Sequence, residues 1–178
     1  PPPTDEPPPA QPSATPSSEP APTTPTAADI STPTPTATPT IEPICIPADS
    51  LSCGDSHAWN NSGVGATDLF EDYSCVAWNE SGPEYVYRFV PDHSGSAGVS
   101  LSDLTADLDL FVLVDAGMGC KADHCTGYAA KDKALIFEVQ AGRTYYLVVD
   151  GYRGAVSNYT VSLSCQRRLF LPLVLFSW

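Results

Sequence analysis

Along the chain, short stretches of alternating apolar and polar residues are separated by turn-forming residues, and this pattern predicts strands. Tyr159, Val161 and Leu163 alternate with Thr160, Ser162 and Ser164, the period of a strand with one buried face. Other stretches, such as Tyr145-Tyr146-Leu147-Val148-Val149, are apolar at every position and suit central strands covered on both sides. The predicted strands are 85–90, 98–101, 109–114, 135–139, 144–150 and 159–164. Ser81-Gly82-Pro83, Pro91-Asp92, Ala141-Gly142 and Asp150-Gly151 mark turns between them. No stretch combines helix caps with a period of 3.6, and no internal repeat is present. The expected fold class is therefore all-β, a jelly-roll-like β-sandwich.

Residues 1–43 break the pattern. They hold 15 of the 19 prolines, ten threonines and four serines, with no aromatic residue and no Lys or Arg. Such a segment buries too little apolar surface to offset its ordering entropy. Runs such as Pro7-Pro8-Pro9 and Thr34-Pro35-Thr36 favour an extended polyproline II stalk. The hydroxyls of Thr23, Thr24, Thr26, Thr32, Thr34, Thr36, Thr38 and Thr40 lie beside or near proline, the composition of O-glycosylated stalks; a bare flexible linker is the alternative. The expected organisation is a stalk over 1–43, a sandwich over 44–166 and a hydrophobic strand over 167–178.

The net charge is −13. Phosphate binding requires clustered Lys and Arg, so nucleic acid is not an expected partner. The pair Arg167-Arg168 introduces a hydrophobic segment and reads as its solubilising flank. With no run of about 20 apolar residues, no helix is expected to cross a membrane. With no leader and Pro1 in place of Met, the sequence reads as a processed product.

The six cysteines all lie after the stalk. Their even number points to disulfides and an oxidising, extracytoplasmic compartment. The expected pairs are Cys53–Cys75, Cys120–Cys125 and Cys45–Cys165, the last tying the start of the domain to its end. Zinc is the competing reading, because His124 adjoins Cys125, but the usual C-x-x-C knuckle is missing.

Four stretches carry a resemblance. They are Ser81-Gly82-Pro83-Glu84-Tyr85-Val86-Tyr87-Arg88-Phe89, Ala106-Asp107-Leu108-Asp109-Leu110-Phe111-Val112-Leu113, 141–152 with its Tyr-Tyr-Leu-Val-Val-Asp-Gly-Tyr ending, and 158–165. Together, over residues 45–165, they resemble the bacterial pre-peptidase C-terminal domain family. The resemblance implies a compact jelly-roll-like sandwich, exported from a bacterial cell and attached to something else. Family members often trail secreted peptidases, and no peptidase is present in this chain.

Several residues invite chemistry. Gly54-Asp55-Ser56 is similar to the nucleophile block of one esterase family, but no Asp-x-x-His follows, so no enzyme is expected and no catalytic residue is assigned. His57, His93 and His124 lie apart in loop-like surroundings. Asp107, Asp109 and Asp150 flank predicted strands and could converge as hard oxygen ligands for Ca²⁺; capping of turns is the alternative. No other cofactor is expected. Asn60, Asn79 and Asn158 each open an Asn-x-Ser/Thr sequon. Trp59 and Tyr152 could form a sugar-binding platform.

The ending is apolar on both alternating faces: Leu169, Phe170, Leu171, Leu173, Val174, Leu175, Phe176 and Trp178. Left in water it would be an aggregation hazard, so protein must cover it. It could fold back on its own domain or add a strand to the sheet of a neighbour, which would generate a head-to-tail filament. The expected function is a non-catalytic subunit of an extracellular fibre or surface appendage, its partners being identical subunits and covalent glycans. The alternative is a calcium- or carbohydrate-binding accessory module of a secreted enzyme.

Overall fold

The computed structural model describes residues 44–130 and 133–167. The stalk with its threonines, and the eight apolar residues of 169–178, lie outside the described residues. The fibre reading therefore draws no support from the described part.

Among the described residues, nine strands form two sheets: β1 (Asp49–Leu51), β2 (Ser56–Asn60), β3 (Tyr85–Phe89), β4 (Gly95–Ser102), β5 (Leu108–Val114), β6 (Cys125–Ala129), β7 (Ala134–Val139), β8 (Tyr145–Gly151) and β9 (Asn158–Arg167). Sheet one runs β1-β3-β8-β5-β6 and sheet two β2-β9-β4-β7. The antiparallel pairs β5–β6, β4–β7, β3–β8 and β2–β9 nest one outside another. This is a long hairpin rolled so that successive pairs fall on alternate sheets, a jelly roll. β1 adds to the edge of sheet one, parallel to β3. All six predicted strands are present. β1, β2 and β6 carry no continuous apolar stripe and escape a pattern search. Arg167 pairs with Gly95 of β4, so the last sandwich strand reaches one residue past the expected boundary at 166.

The patterning explains the layers. β4 and β9 alternate buried and partly buried residues because only one face of sheet two meets the core. In β5 and β8 nearly every residue is buried. One face of these strands (Leu108, Leu110, Val112, Tyr145, Leu147, Val149) fills the space between the sheets. The opposite face (Phe111, Leu113, Tyr146, Val148) packs under Phe70 and Tyr73. Those two residues belong to the long connection between β2 and β3, which covers the outside of sheet one. Tyr73 stacks on Phe111 with ring centroids 3.8 Å apart.

All six cysteines are bridged, but in none of the expected pairs: the bonds are Cys45–Cys120, Cys53–Cys165 and Cys75–Cys125. Their Cα–Cα distances of 5.2, 5.4 and 5.5 Å suit a disulfide. Cys75 lies on the covering connection and is therefore fastened to β6 of sheet one. Cys53, in the turn between β1 and β2, lies beside β9 of sheet two, where Cys165 is. Cys120 is drawn into the outer cluster with Cys45, while Cys125 opens β6. Cys53 and Cys75 part because the β1–β2 turn lies beside sheet two and the covering connection lies on sheet one, while Cys120 and Cys125 share the outer cluster and meet Cys45 and Cys75 there. Three bridges fit an oxidising, extracytoplasmic compartment. Among the described residues no helix is long and apolar enough to cross a membrane.

Candidate functional site

The start of β5, the end of β8 and the segment before β7 meet at one end of the roll. A cleft of about 330 Å³ opens there, lined by Trp78, Tyr152, Asp107, Asp109, Ala130 and Lys133. Trp78 stands edge-on to Tyr128, centroids 5.1 Å apart, and the Arg153 guanidinium lies 5.0 Å above the Tyr152 ring. Both aromatic side chains are half-buried, so each keeps part of its surface open.

Charged groups form the rest of the lining. Lys133 Nζ donates to Asp107 Oδ1 at 2.7 Å and to Asp109 Oδ1 at 2.8 Å. Asp107 is largely exposed and Asp109 buried. Burial works against the ammonium, but the hydrogen bonds to the two carboxylates outweigh it and hold Lys133 above the ordinary lysine value. Behind this pair is Glu80, fully buried, with neither carboxyl oxygen receiving a hydrogen bond among the described residues. Burial first, and then Asp109, push its carboxyl up to about 8. Asp109 lies opposite Asp150 in the β5–β8 ladder. Asp150 accepts from Tyr73 Oη at 2.5 Å and from Gly151 N–H at 2.6 Å. Burial nevertheless pushes it up to about 9. Glu84 accepts from Thr67 Oγ1 and from the Leu69 N–H, yet burial raises it too.

Among the described residues, three non-glycine residues adopt left-handed backbone: Asp103, Lys133 and Arg153. Lys133 lines the cleft and Arg153 follows Tyr152. A left-handed L-residue costs roughly 1–2 kcal/mol, and such strain collects at functional positions.

The residues singled out by sequence fall into different places. Asp107 and Asp109 close on Lys133, while Asp150 turns to Tyr73; among the described residues no group of three or more His, Cys, Asp or Glu is placed to hold a metal ion. Tyr152 lines the cleft, but Trp59 does not. Trp59 stacks on His57 and borders a second hollow of about 540 Å³ with Val64, Asn60, Asp103 and Asn158. The two rings are therefore not one platform. Asn60 Nδ2 donates to Asn158 Oδ1 at 2.9 Å, and Asn60 and Asn79 each accept from the serine two residues on. Ser56 Oγ bonds to Ser162 Oγ at 3.0 Å, and the Asp55 carboxylate accepts the Ser52 N–H. The histidines do not gather: His57 Nδ1 bonds to Tyr87 Oη, His93 adjoins Asp92, and His124 adjoins Asp123. Trp78, Glu80 and Lys133 escaped sequence reading. They sit on connections without periodicity and reach the Asp107–Asp109 pair only through the fold.

No family model matches the chain, and no curated protein matches it. Among solved structures, the pre-peptidase C-terminal domain of a collagenase from Bacillus anthracis is similar at 14% identity, over 67% of this chain and 97% of that one, with a TM-score of 0.46. PliG of Aeromonas hydrophila, a periplasmic inhibitor of g-type lysozyme, is also 14% identical, over 67% of this chain and all of that one, at 0.42. A β-(1,4)-mannanase of Podospora anserina, GH26-CBM35, is 12% identical over 67% of this chain and 29% of that one, at 0.33.

Proposed function

We propose that the sandwich is a non-catalytic accessory module of a secreted bacterial protein and that it binds carbohydrate in the Trp78–Tyr152 cleft. One observation carries this reading: two partly open aromatic rings border a cleft whose polar groups are held in place by ion pairing. Aromatic faces take the apolar C–H surface of a sugar ring, and fixed carboxylate and ammonium groups take its hydroxyls. Calcium is a weaker reading of the same place, because Lys133 already neutralises the two carboxylates a cation would need.

The test is affinity electrophoresis through gels containing soluble polysaccharides, followed by calorimetry on any that retard the protein. Retardation by at least one glycan, weakened tenfold or more by Trp78→Ala and by Tyr152→Ala, is the expected result. Binding left intact in both variants would place the site elsewhere, and absence of retardation across a broad polysaccharide panel would remove the reading.

A further inference from the structure

Lys133, Asp109 and Glu80 form an arrangement that ion pairing alone does not require. Lys133 Nζ stands 2.8 Å from Asp109 Oδ1, and the Asp109 side chain is 5% exposed. The Glu80 carboxyl lies against Asp109, wholly out of water and without a hydrogen-bond donor among the described residues. A surface ion pair would need only the exposed Asp107. A buried carboxyl without a donor is costly, and a fold that keeps one calls for an explanation. Burial and the neighbouring Asp109 carboxylate both favour the protonated form of Glu80. An amine, a buried carboxyl and a neighbouring acid able to give and take a proton are the parts of an amide condensation.

We propose that Lys133 and Asp109 condense into an intramolecular amide, with Glu80 as the proton shuttle. The starting ion pair passes one proton from Nζ to the carboxyl side, leaving a neutral amine beside a neutral acid. The Nζ lone pair attacks Asp109 Cγ and the C–N bond forms. Protonated Glu80 gives its proton to the departing oxygen as the C–O bond breaks, and it regains a proton from the nitrogen. Ammonium and carboxylate become one amide and one water; nothing is oxidised or reduced, and Glu80 ends as it began.

Burial at Asp109 disfavours separated charges, but the hydrogen bonds to both carboxylates hold Lys133 as the ammonium, so the neutral amine is the minor form from which the step proceeds. Holding the two groups in contact replaces a bimolecular step by an intramolecular one. Asp107, at 2.7 Å, stabilises the ammonium and slows the step, but it is mostly exposed and is not the acceptor. The product would tie the start of β5 in sheet one to the residue preceding β7 in sheet two.

Intact mass spectrometry of the full chain, after reduction of the disulfides, reads the outcome without any ligand. The expected mass is lower by one water than the sequence requires, and peptide mapping joins the fragments carrying Asp109 and Lys133. Lys133→Arg and Asp109→Ala should each restore the full mass. Glu80→Gln should slow the loss of water at least tenfold, and Asp107→Ala should hasten it. A wild-type mass with no deficit after prolonged incubation overturns the proposal, whether or not the Glu80 variant folds. So does a deficit that persists in Lys133→Arg, as a succinimide at Asp150-Gly151 would produce. A Glu80→Gln rate equal to wild type removes the shuttle. The amide would replace the Lys133 ammonium and the Asp109 carboxylate of the cleft and leave Asp107, Trp78 and Tyr152 to meet a sugar, so mass and gel retardation, read on the same preparation, separate a failure of this proposal from a failure of carbohydrate binding.

Discussion

Asp150 should make this protein lose stability as pH rises, and Asp150→Asn should abolish that loss. The carboxyl ends β8 fully buried, and burial pushes it from the ordinary 3.8 up to about 9. The hydrogen bonds from Tyr73 and Gly151 oppose this rise, and Glu84 and Glu80 add to it. The folded state therefore takes up a proton between those two values. Because the native chain binds more protons, stability is highest below the window and falls as pH climbs through it, by up to about 1.4 kcal/mol per pH unit. Between roughly pH 5 and pH 8 this one group withdraws at most about 4 kcal/mol. An asparagine can still accept the Gly151 N–H and carries no charge at any pH. Glu80, raised to about 8, acts in the same direction, so the informative quantity is the difference between wild type and variant. Urea unfolding at several pH values measures it. The variant should gain on wild type by about 2–4 kcal/mol from roughly pH 5 to pH 8. Parallel curves for the two proteins would refute the reasoning.

Three further outcomes follow from the packing. Tyr73→Ala removes the ring stacked on Phe111 and should cost about 3–5 kcal/mol in chemical unfolding, whereas Tyr73→Phe should cost about 1–3 because only the hydroxyl on Asp150 is lost. A cost under about 1 kcal/mol for the alanine variant would show that the covering connection is not part of the cooperative unit. Cys53→Ser with Cys165→Ser opens a bridge spanning 112 residues, and the chain-entropy model sets the loss near 5 kcal/mol. A thermal midpoint unchanged by the pair would count against that bridge. At Gly82 a Cβ would stand 2.4 Å from the Gly151 carbonyl oxygen, so Gly82→Ala must displace backbone where β8 ends. Its melting temperature should fall by several degrees, for an overpacking cost of at least about 1–3 kcal/mol; an unchanged one would mean the two loops do not meet.

Much of the fold was legible along the chain. Alternation in 159–164 marked a one-sided strand, and the uninterrupted apolar run 145–149 marked a strand buried on both faces. What covers the second face was not legible, because Phe70 and Tyr73 lie in a connection without any period. Of the cleft, the Asp107–Asp109 pair and Tyr152 were visible as candidates. Lys133, which converts those carboxylates from prospective metal ligands into an ion-paired lining, was not.

The sequence by itself determined the all-β class and most strand positions, since strand periodicity is a property of neighbouring residues, and its even cysteine count pointed to disulfides. Only the tertiary structure decided the disulfide partners, the covering layer and the company of Glu80. The rolled hairpin pairs β2 with β9 and β3 with β8, so contact depends on how far each segment lies from the centre of the roll. Residues distant along the chain thus become neighbours, and groups close in sequence, such as Cys120 and Cys125, part to different bonds.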